Sequence, residues 1–295
     1  MKPKVIVIVG PTASGKTKFS IEIAKKENGE IISADSMQIY KSMDIGTAKV
    51  SKEEMQGIKH YMLDVVEPSE KYSVAKYKEE AEKCIEEILA KGKTPIIVGG
   101  TGLYIDSIIQ GIKYLNIKTD FEYREKLEKE DLQELYEKLK KIDIEAANKI
   151  SSNDKKRIIR AFEIYKATGK TKTEVEKDSR EEVKYDFVIY GVNVDREILY
   201  ERINKRVDVM IENGLIQEVQ ELLEKYPKIE TAMQGLGYKE VKEYMDGKLT
   251  KEEMIDKIKM ESRRYAKRQV TWFKRNKKIT WLNGDMANEE KKEKS

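Results

Sequence analysis

The segment that most constrains the fold lies at the start of the chain. Residues 3–9 (PKVIVIV) have a buried-strand pattern and lead into Gly10-Pro11-Thr12-Ala13-Ser14-Gly15-Lys16-Thr17, after which residues 17–27 show helical spacing. The string fits the phosphate-binding pattern G-x-x-x-x-G-K-[ST] at every defined position. Its glycines let backbone N–H groups approach an anion, and the following helix N-terminus adds positive potential. We therefore predict that Lys16 neutralises phosphate charge and that the Thr17 hydroxyl binds Mg²⁺.

Strand and helix signals alternate along much of the chain. Further strands are predicted at 30–33, 60–66, 95–98, 187–194 and 279–282, with helices at 73–91 and from Thr250 to about Lys274. This alternation favours a parallel sheet covered by helices on both faces. The predicted fold class is thus α/β, with a P-loop NTPase-like sheet flanked by helices.

The pattern changes after about Gly111. Residues 112–184 contain no strand-type apolar run, but they include helical segments at 127–139 and 155–168. We interpret 112–184 as an all-helical insertion, and 1–111 with 185–287 as the P-loop core. The charged tail, 288–295, is predicted to be disordered.

Composition excludes several kinds of site. The chain has one histidine, His60, and one cysteine, Cys84. It cannot form an internal disulfide or a tetrahedral Cys/His zinc site by itself, and the low thiol content fits a reducing cytosol. No secretory signal or membrane-length apolar run is present, so we expect a cytoplasmic protein that does not enter the membrane.

Positive charge is concentrated in two segments. The net charge is +4, yet residues 155–172 hold seven Lys/Arg and one acid, and residues 255–278 hold ten Lys/Arg and two acids. Two basic segments in an otherwise acidic chain favour contact with a polyanion. Solvated Lys/Glu-rich helices would produce a similar pattern, and charge alone leaves both interpretations open.

Asp35 is the carboxylate best placed for chemistry near the phosphate-binding loop. It comes just after the 30–33 strand, and strand ends in such sheets face the loop. It could act as a general base or help to hold Mg²⁺ through water. A structural alternative is that Asp35 caps a turn, as Asp-Ser often does.

Seven strings along the chain carry a more specific resemblance. They are GPTASGKT (10–17), ISADSMQIYKSMDIGTAK (32–49), HYMLDVVEP (60–68), VGGTGLYIDSII (98–109), NDKKRIIRAFEIYKATGK (153–170), GLGYKE (235–240) and RRYAKRQVTWFKR (263–275). In order and spacing, the chain resembles the tRNA dimethylallyltransferase (tRNA isopentenyltransferase) family over nearly its whole length.

The resemblance implies transfer of a dimethylallyl group from dimethylallyl diphosphate to N6 of the adenosine immediately 3′ of the anticodon in tRNA, with release of pyrophosphate. It implies that residues 10–17 hold the diphosphate with Mg²⁺ and that Asp35 accepts a proton from the adenine amine. Thr101 would lie near the reacting groups and the tRNA, and Arg206 would meet the leaving pyrophosphate. From sequence alone, a surface arginine pair formed by Arg202 and Arg206 is the favoured interpretation.

Candidate tRNA contacts come from the same resemblance and from the basic segments. The tRNA is predicted to be engaged at its anticodon stem-loop by a monomer. Trp272 and Phe273 could stack on bases, although core packing is favoured, and no role is predicted for His60 or Cys84. The candidate contacts are Asp35, Ser36, Met37, Gln38, Thr101, Arg124, Lys156, Arg157, Arg160, Gln234, Gly237, Tyr238, Lys239, Lys267, Arg268, Lys274 and Arg275.

Two rival functions remain compatible with the phosphate-binding loop. A P-loop kinase would use Asp35 to deprotonate a small hydroxyl substrate, but such a substrate leaves two basic segments without a purpose. A noncatalytic, nucleotide-gated RNA-binding protein would not explain the strings around Asp35 and Thr101.

Overall fold

The computed structural model describes residues 1–284, with gaps at 115–116, 118–119, 227 and 230. The predicted disordered tail, 288–295, lies outside the described residues. The strands are β1 (Lys4–Val9), β2 (Gly29–Ser33), β3 (His60–Tyr61), β4 (Thr94–Gly99), β5 (Asp186–Asn193) and β6 (Thr280–Asn283). The helices are α1 (Lys16–Lys26), α2 (Lys52–Met55), α3 (Val74–Ala90), α4 (Gly102–Ile109), α5 (Phe121–Lys129), α6 (Leu132–Ile142), α7 (Ile144–Lys149), α8 (Lys155–Thr168), α9 (Lys172–Asp178), α10 (Arg196–Glu212), α11 (Leu215–Lys225), α12 (Tyr238–Met245) and α13 (Lys251–Phe273), with a 3₁₀ turn at Ala232–Gln234.

The strands form a single parallel sheet in the order β3-β2-β4-β1-β5-β6. Its centre pairs Val7 with Ile97 on one side and with Ile189 on the other. The predicted α/β fold class is confirmed. The strand expected at 60–66 ends at Tyr61, because Met62 and Asp64 adopt positive φ angles of 62° and 54° that leave the extended conformation.

Alternate residues of the strands build two cores on opposite faces of the sheet. Ile6 and Ile8 of β1 face α1, whereas Val5, Val7 and Val9 face the cluster that contains α3 and α4. Because side chains alternate along a strand, a continuous apolar run is buried on both faces. Helices therefore cover both faces, and the loops after β1, β2 and β4 leave the same edge of the sheet.

The chain divides into two compact units. The first comprises Met1–Ile109 together with the chain from Val183 onward, and the second comprises Gln110–Glu182. Besides the sheet, the first unit holds a helical core in which α10, α11, α12 and α13 pack around Tyr40, Met43 and Tyr238. The helix start predicted at Thr250 is confirmed, because Thr250 and Glu253 form a reciprocal capping box at the N-terminus of α13.

The second unit is helical, with a core from α5 to α8. The single helix predicted at 127–139 is wrong, because the chain breaks there into α5 and α6. Glu130 is extended, and the Asp131 side chain accepts hydrogen bonds from the backbone N–H groups of Gln133 and Glu134, so a new helix begins. Among the described residues of both units, no helix is long and apolar enough to cross a membrane.

Candidate active site

The phosphate-binding loop joins β1 to α1 and is shaped by close backbone packing. A Cβ at Gly10 would lie 2.9 Å from both Ser14 Oγ and the Val192 carbonyl oxygen, so a larger residue would displace the loop. Gly15 has a φ of 88°, which glycine adopts without steric cost. Ser14 Oγ is buried and, among the described residues, has no hydrogen-bond partner. A polar cradle of this kind fits an anionic ligand.

Lys16 and Arg206 bring two positive charges to one cavity. Lys16 Nζ donates to the Pro11 carbonyl oxygen at 2.9 Å, so the side chain folds back over the loop. Desolvation by burial, and after it repulsion from Arg206, lowers the pKa of Lys16 to about 8, against an opposing effect of Asp35. Burial also lowers the pKa of Arg206. Both pKa shifts come mainly from the desolvation of a buried cation. A bound polyanion would therefore stabilise the charged forms of Lys16 and Arg206.

The cavity has a volume of about 400 Å³ and lies entirely within the first unit. It is formed by the phosphate-binding loop, the chain after β2, one side of α10 and the middle of α13. The lining includes these predicted site residues: Thr12, Lys16, Thr17, Asp35, Ser36, Met37, Gln38, Arg206, Gln234, Tyr238 and Arg268.

Asp35 and Thr101 lie close together because β2 and β4 are neighbouring parallel strands. The Thr101 N–H donates to the Ala34 carbonyl oxygen at 3.1 Å, and Thr101 Oγ1 accepts from the Ser36 N–H at 3.0 Å. One Asp35 oxygen, Oδ1, accepts from the Met37 N–H at 2.9 Å. The turn-capping arrangement considered from the sequence is thus present, and it orients a carboxylate that also lines the cavity.

Arg206 contacts a loop that Glu218 holds in place, and the role of Glu218 is not evident from the sequence. Its guanidinium donates to the Thr47 carbonyl oxygen at 3.2 Å. Just before Thr47, three successive N–H groups donate to the Glu218 carboxylate of α11, those of Asp44 at 2.9 Å, Ile45 at 2.7 Å and Gly46 at 3.0 Å. The carboxylate therefore fixes the loop that receives Arg206.

Helix α13 supplies a second set of contacts. Gln269 accepts from the Thr12 N–H at 2.9 Å and donates to the Gly100 carbonyl oxygen at 3.0 Å. One turn earlier, burial and the negative charge of Asp35 raise the pKa of Tyr265 to about 12. The one sequence signal that could have found Gln269 is its place among the apolar residues of the α13 face, where a polar side chain needs partners.

Comparison with known proteins decides the family. A sequence model described as IPP transferase matches residues 38–276. The chain belongs to the IPP transferase family. The tRNA dimethylallyltransferase of Acetivibrio thermocellus is 52% identical over 98% of this chain and 94% of its own length. That of a Thermoanaerobacter species is 53% identical over 96% of this chain and 92% of its own.

Solved structures of IPP transferases share the fold. A tRNA isopentenylpyrophosphate transferase from Bacillus halodurans is 45% identical, with a TM-score of 0.72 over 96% of this chain and 90% of its own. A eukaryotic dimethylallyltransferase, described as acting on tRNA, gives a TM-score of 0.83 at 34% identity, over 97% of this chain and 75% of its own. The resemblance stated from the sequence is confirmed.

The predicted tRNA contacts of this IPP transferase have different environments. Before α12, Gln234 is exposed and Gly237 is buried. Within α12, Lys239 is exposed. Tyr238 is fully buried, and its hydroxyl donates to Glu218 at 2.6 Å. Because of this burial, Tyr238 shapes the cavity wall and the helical core, and its side chain offers no surface to RNA.

The basic residues near the C-terminal end of α13 and just after it are exposed. Lys267, Arg268 and Lys274 are exposed, and among the described residues no acid pairs with any of them. Arg275 lies over the Trp272 ring at 4.2 Å from its centroid. Trp272 itself donates to Asp106 at 2.9 Å, and Phe273 is buried in the core, as the core-packing interpretation expects.

In the helical unit, Lys156 and Arg157 are exposed on α8, and Arg157 pairs with Asp154 at 3.3 Å. Arg160 and Arg124 instead share one buried acid. Glu163 lies 3.1 Å from Arg160 and 3.4 Å from Arg124. The two arginines are thus held in fixed positions at the surface of α5 and α8.

His60 lines the cavity, and Cys84 is half-buried in α3. His60 Nδ1 lies 2.9 Å from the Ile58 carbonyl oxygen, which can only accept, so Nδ1 carries the proton. Burial lowers the pKa of His60 and raises that of Cys84 to about 11. A thiol with such a pKa stays protonated and unreactive near neutral pH.

Proposed function

We propose that this protein transfers the dimethylallyl group of dimethylallyl diphosphate to N6 of the adenosine immediately 3′ of the anticodon in tRNA, and releases pyrophosphate. The observation that carries the proposal is that one cavity in an IPP transferase fold is lined by Lys16, Asp35 and Arg206. Cations suited to a diphosphate and a carboxylate suited to an amine proton face the same space. Several relatives over 50% identical are named as tRNA dimethylallyltransferases.

In the reaction, a bond forms between N6 and the prenyl C1 while the bond from C1 to the diphosphate oxygen breaks. Lys16 and Arg206 neutralise the negative charge that grows on the leaving diphosphate, together with backbone N–H groups at the N-terminus of α1, at Gly15 to Thr17. Both cations are partly buried, so their interaction with the leaving group is weakly screened by solvent.

The amine proton goes to Asp35. The carboxylate keeps a fixed orientation because Oδ1 is bonded to the Met37 N–H. Thr101, bonded to the Ser36 N–H, holds the end of β4 against the chain that carries Asp35. Proton removal as the new bond forms prevents a positive charge from remaining on N6.

Mg²⁺ fits the residues at this site. Among the described residues, no three His, Cys, Asp or Glu side chains form a metal cluster. Mg²⁺ commonly binds through one or two protein oxygens, with phosphate oxygens and water completing its shell. Thr17 and Asp35 line the cavity and offer a hydroxyl and a carboxylate for this purpose. When bound, the ion would neutralise diphosphate charge, and Thr17→Ala should raise the Mg²⁺ concentration needed for half-maximal rate.

The macromolecular partner is tRNA, bound at the anticodon stem-loop. Phosphate contacts from exposed cations give affinity and position, whereas the choice of base requires an unstacked adenine to enter the cavity. We expect a monomer that acts in the cytoplasm. The cations proposed to contact phosphates are Arg124, Lys156, Arg157, Arg160, Lys239, Lys267, Arg268, Lys274 and Arg275.

Labelled dimethylallyl diphosphate incubated with unmodified tRNA and Mg²⁺ tests the proposal. We expect label in the tRNA and one pyrophosphate released for each group transferred. Absence of label, together with phosphate transfer from ATP to a small hydroxyl substrate, would favour the kinase instead. Tight RNA binding with neither reaction would favour the noncatalytic RNA-binding protein.

A further inference from the structure

Gln269 of α13 connects the two loops between which the proposed chemistry occurs. Its Oε1 accepts from the N–H of Thr12 at 2.9 Å, and its Nε2 donates to the carbonyl oxygen of Gly100 at 3.0 Å. The residue is 6% exposed, so water does not compete effectively for these bonds. One amide thus spans the loop after β1 and the loop after β4, which are adjacent parallel strands.

The contact is tight on the Gly100 side. A Cβ at Gly100 would lie 2.1 Å from Gln269 Nε2 and 3.5 Å from the Gly10 carbonyl oxygen. No side chain at position 100 can therefore coexist with the amide in its present place. Gly100 has no positive φ, so the constraint is the neighbouring Gln269 rather than backbone conformation.

One of the two loops belongs to the proposed diphosphate site, and the other leads to the proposed proton acceptor. The first belongs to the phosphate-binding loop that includes Lys16, and the second continues into Thr101, which bonds to Ser36 beside Asp35. A change in their separation moves the diphosphate site relative to the proton acceptor. Displacements near 1 Å between reacting groups can reduce a rate by about 100-fold.

We propose that Gln269 is a positioning residue that sets the separation between the diphosphate-binding loop and the segment after β4, whose Thr101 bonds to the chain beside Asp35. The inference rests on the proposed function, because it concerns the alignment of that reaction. Lys16 and the N–H groups near Gly15 do not contact Gln269 in the described contacts, so binding of a diphosphate by itself depends little on it. The consequence of losing Gln269 is therefore a lower kcat with a smaller effect on affinity.

Gln269→Leu removes both hydrogen bonds at similar volume, and Gln220→Leu is the matched control. Gln220 is an exposed helical glutamine that bonds only to Glu224 in the described contacts. We expect kcat for prenyl transfer to fall about 10- to 100-fold in Gln269→Leu, with KM for dimethylallyl diphosphate within about threefold. A Kd for Mg²⁺-pyrophosphate that stays within about threefold of the wild-type value, measured by calorimetry, would show that the variant is folded. Amide exchange at Thr12 should become faster.

Gly100→Ala disrupts the same contact by placing a methyl group where the Gln269 amide lies. It provides a second test if Gln269→Leu does not fold. It should lower kcat similarly, because the new methyl displaces the Gln269 amide. In a Gln269→Ala background, Gly100→Ala should cause little further loss, since the two changes break one interaction.

The outcomes separate the inference from the function. An inactive wild type would overturn the proposed function and the role of Gln269 with it. An active wild type with equal kcat in Gln269→Leu and Gln220→Leu would overturn the positioning role alone. So would fully additive losses for Gly100→Ala and Gln269→Ala, or a loss confined to pyrophosphate affinity.

Discussion

The charge state of Lys16 should control how tightly a diphosphate binds as pH changes. Burial and the nearby Arg206 lower the pKa of Lys16 to about 8, so the free protein loses this charge at a pH where an ordinary lysine keeps it. A bound diphosphate favours the ammonium form and raises the pKa again. Affinity should therefore be constant below about pH 8 and fall as pH rises through that value.

The magnitude comes from the titration. With a pKa of about 8, only about 3% of the free protein carries the Lys16 charge at pH 9.5. Each binding event must then recover a proton, so Kd for the diphosphate should increase about 30-fold between pH 7 and pH 9.5. Burial and Asp35 raise the pKa of Tyr265 to about 12, which keeps its hydroxyl protonated across this range.

Calorimetry with an unreactive thiolo analogue of dimethylallyl diphosphate, at constant free Mg²⁺, measures the effect. The analogue's last phosphate proton is lost near pH 6, so its charge is constant over the range. Lys16→Arg should bind with little pH dependence, because guanidinium stays protonated. Arg206→Gln should raise the pH at which affinity begins to fall, because it removes the charge repulsion between Arg206 and Lys16. A wild-type Kd that changes less than about threefold, or an equal fall in affinity in Lys16→Arg, would rule out this role of the Lys16 charge.

Three further predictions concern other parts of the molecule. Asp35→Asn should lower kcat about 100- to 10,000-fold while tRNA affinity in a filter-binding assay stays within about threefold, and unchanged turnover would exclude the base role. Glu218→Ala should reduce the free energy of unfolding in urea by about 2–3 kcal/mol, since three N–H groups and the Tyr238 hydroxyl lose their acceptor. The exposed Glu221→Ala control should cost less than about 0.5 kcal/mol. Neutralising three α8 cations should lower the slope of log affinity against log salt by about 2, and an unaltered slope would count against phosphate contacts at Lys156, Arg157 and Arg160.

The fold could be predicted largely because short apolar segments of the sequence form the core of the sheet. Val5 to Val9 is apolar throughout, which is typical of a strand buried on both faces, and the neighbouring glycine-lysine string predicts the loop and the helix after it. The break between α5 and α6 is not evident from the sequence because Leu127, Leu135 and Leu139 are eight and four residues apart, as on one face of a continuous helix, and only the cap at Asp131 starts a new helix.

The site could be predicted in part. Lys16 and Asp35 come after strands, so their convergence at one edge of the sheet is expected from topology. The supports of the site could not be found in this way. Glu218 reaches a loop more than 170 residues away in sequence, and Gln269 reaches two loops from the far end of the chain. Such contacts depend on how α11 and α13 pack within the first unit, which local spacing does not encode.

The identity of the modified nucleoside is the sharpest test of the proposed prenyl transfer. Unmodified tRNA with adenosine immediately 3′ of the anticodon would be incubated with dimethylallyl diphosphate and Mg²⁺, digested, and examined by mass spectrometry beside the same tRNA with guanosine there. We predict a dimethylallyl group on N6 of that adenosine, one pyrophosphate per transfer, and no product from the guanosine tRNA. Prenylation at another position, or equal product from both tRNAs, would contradict the proposal.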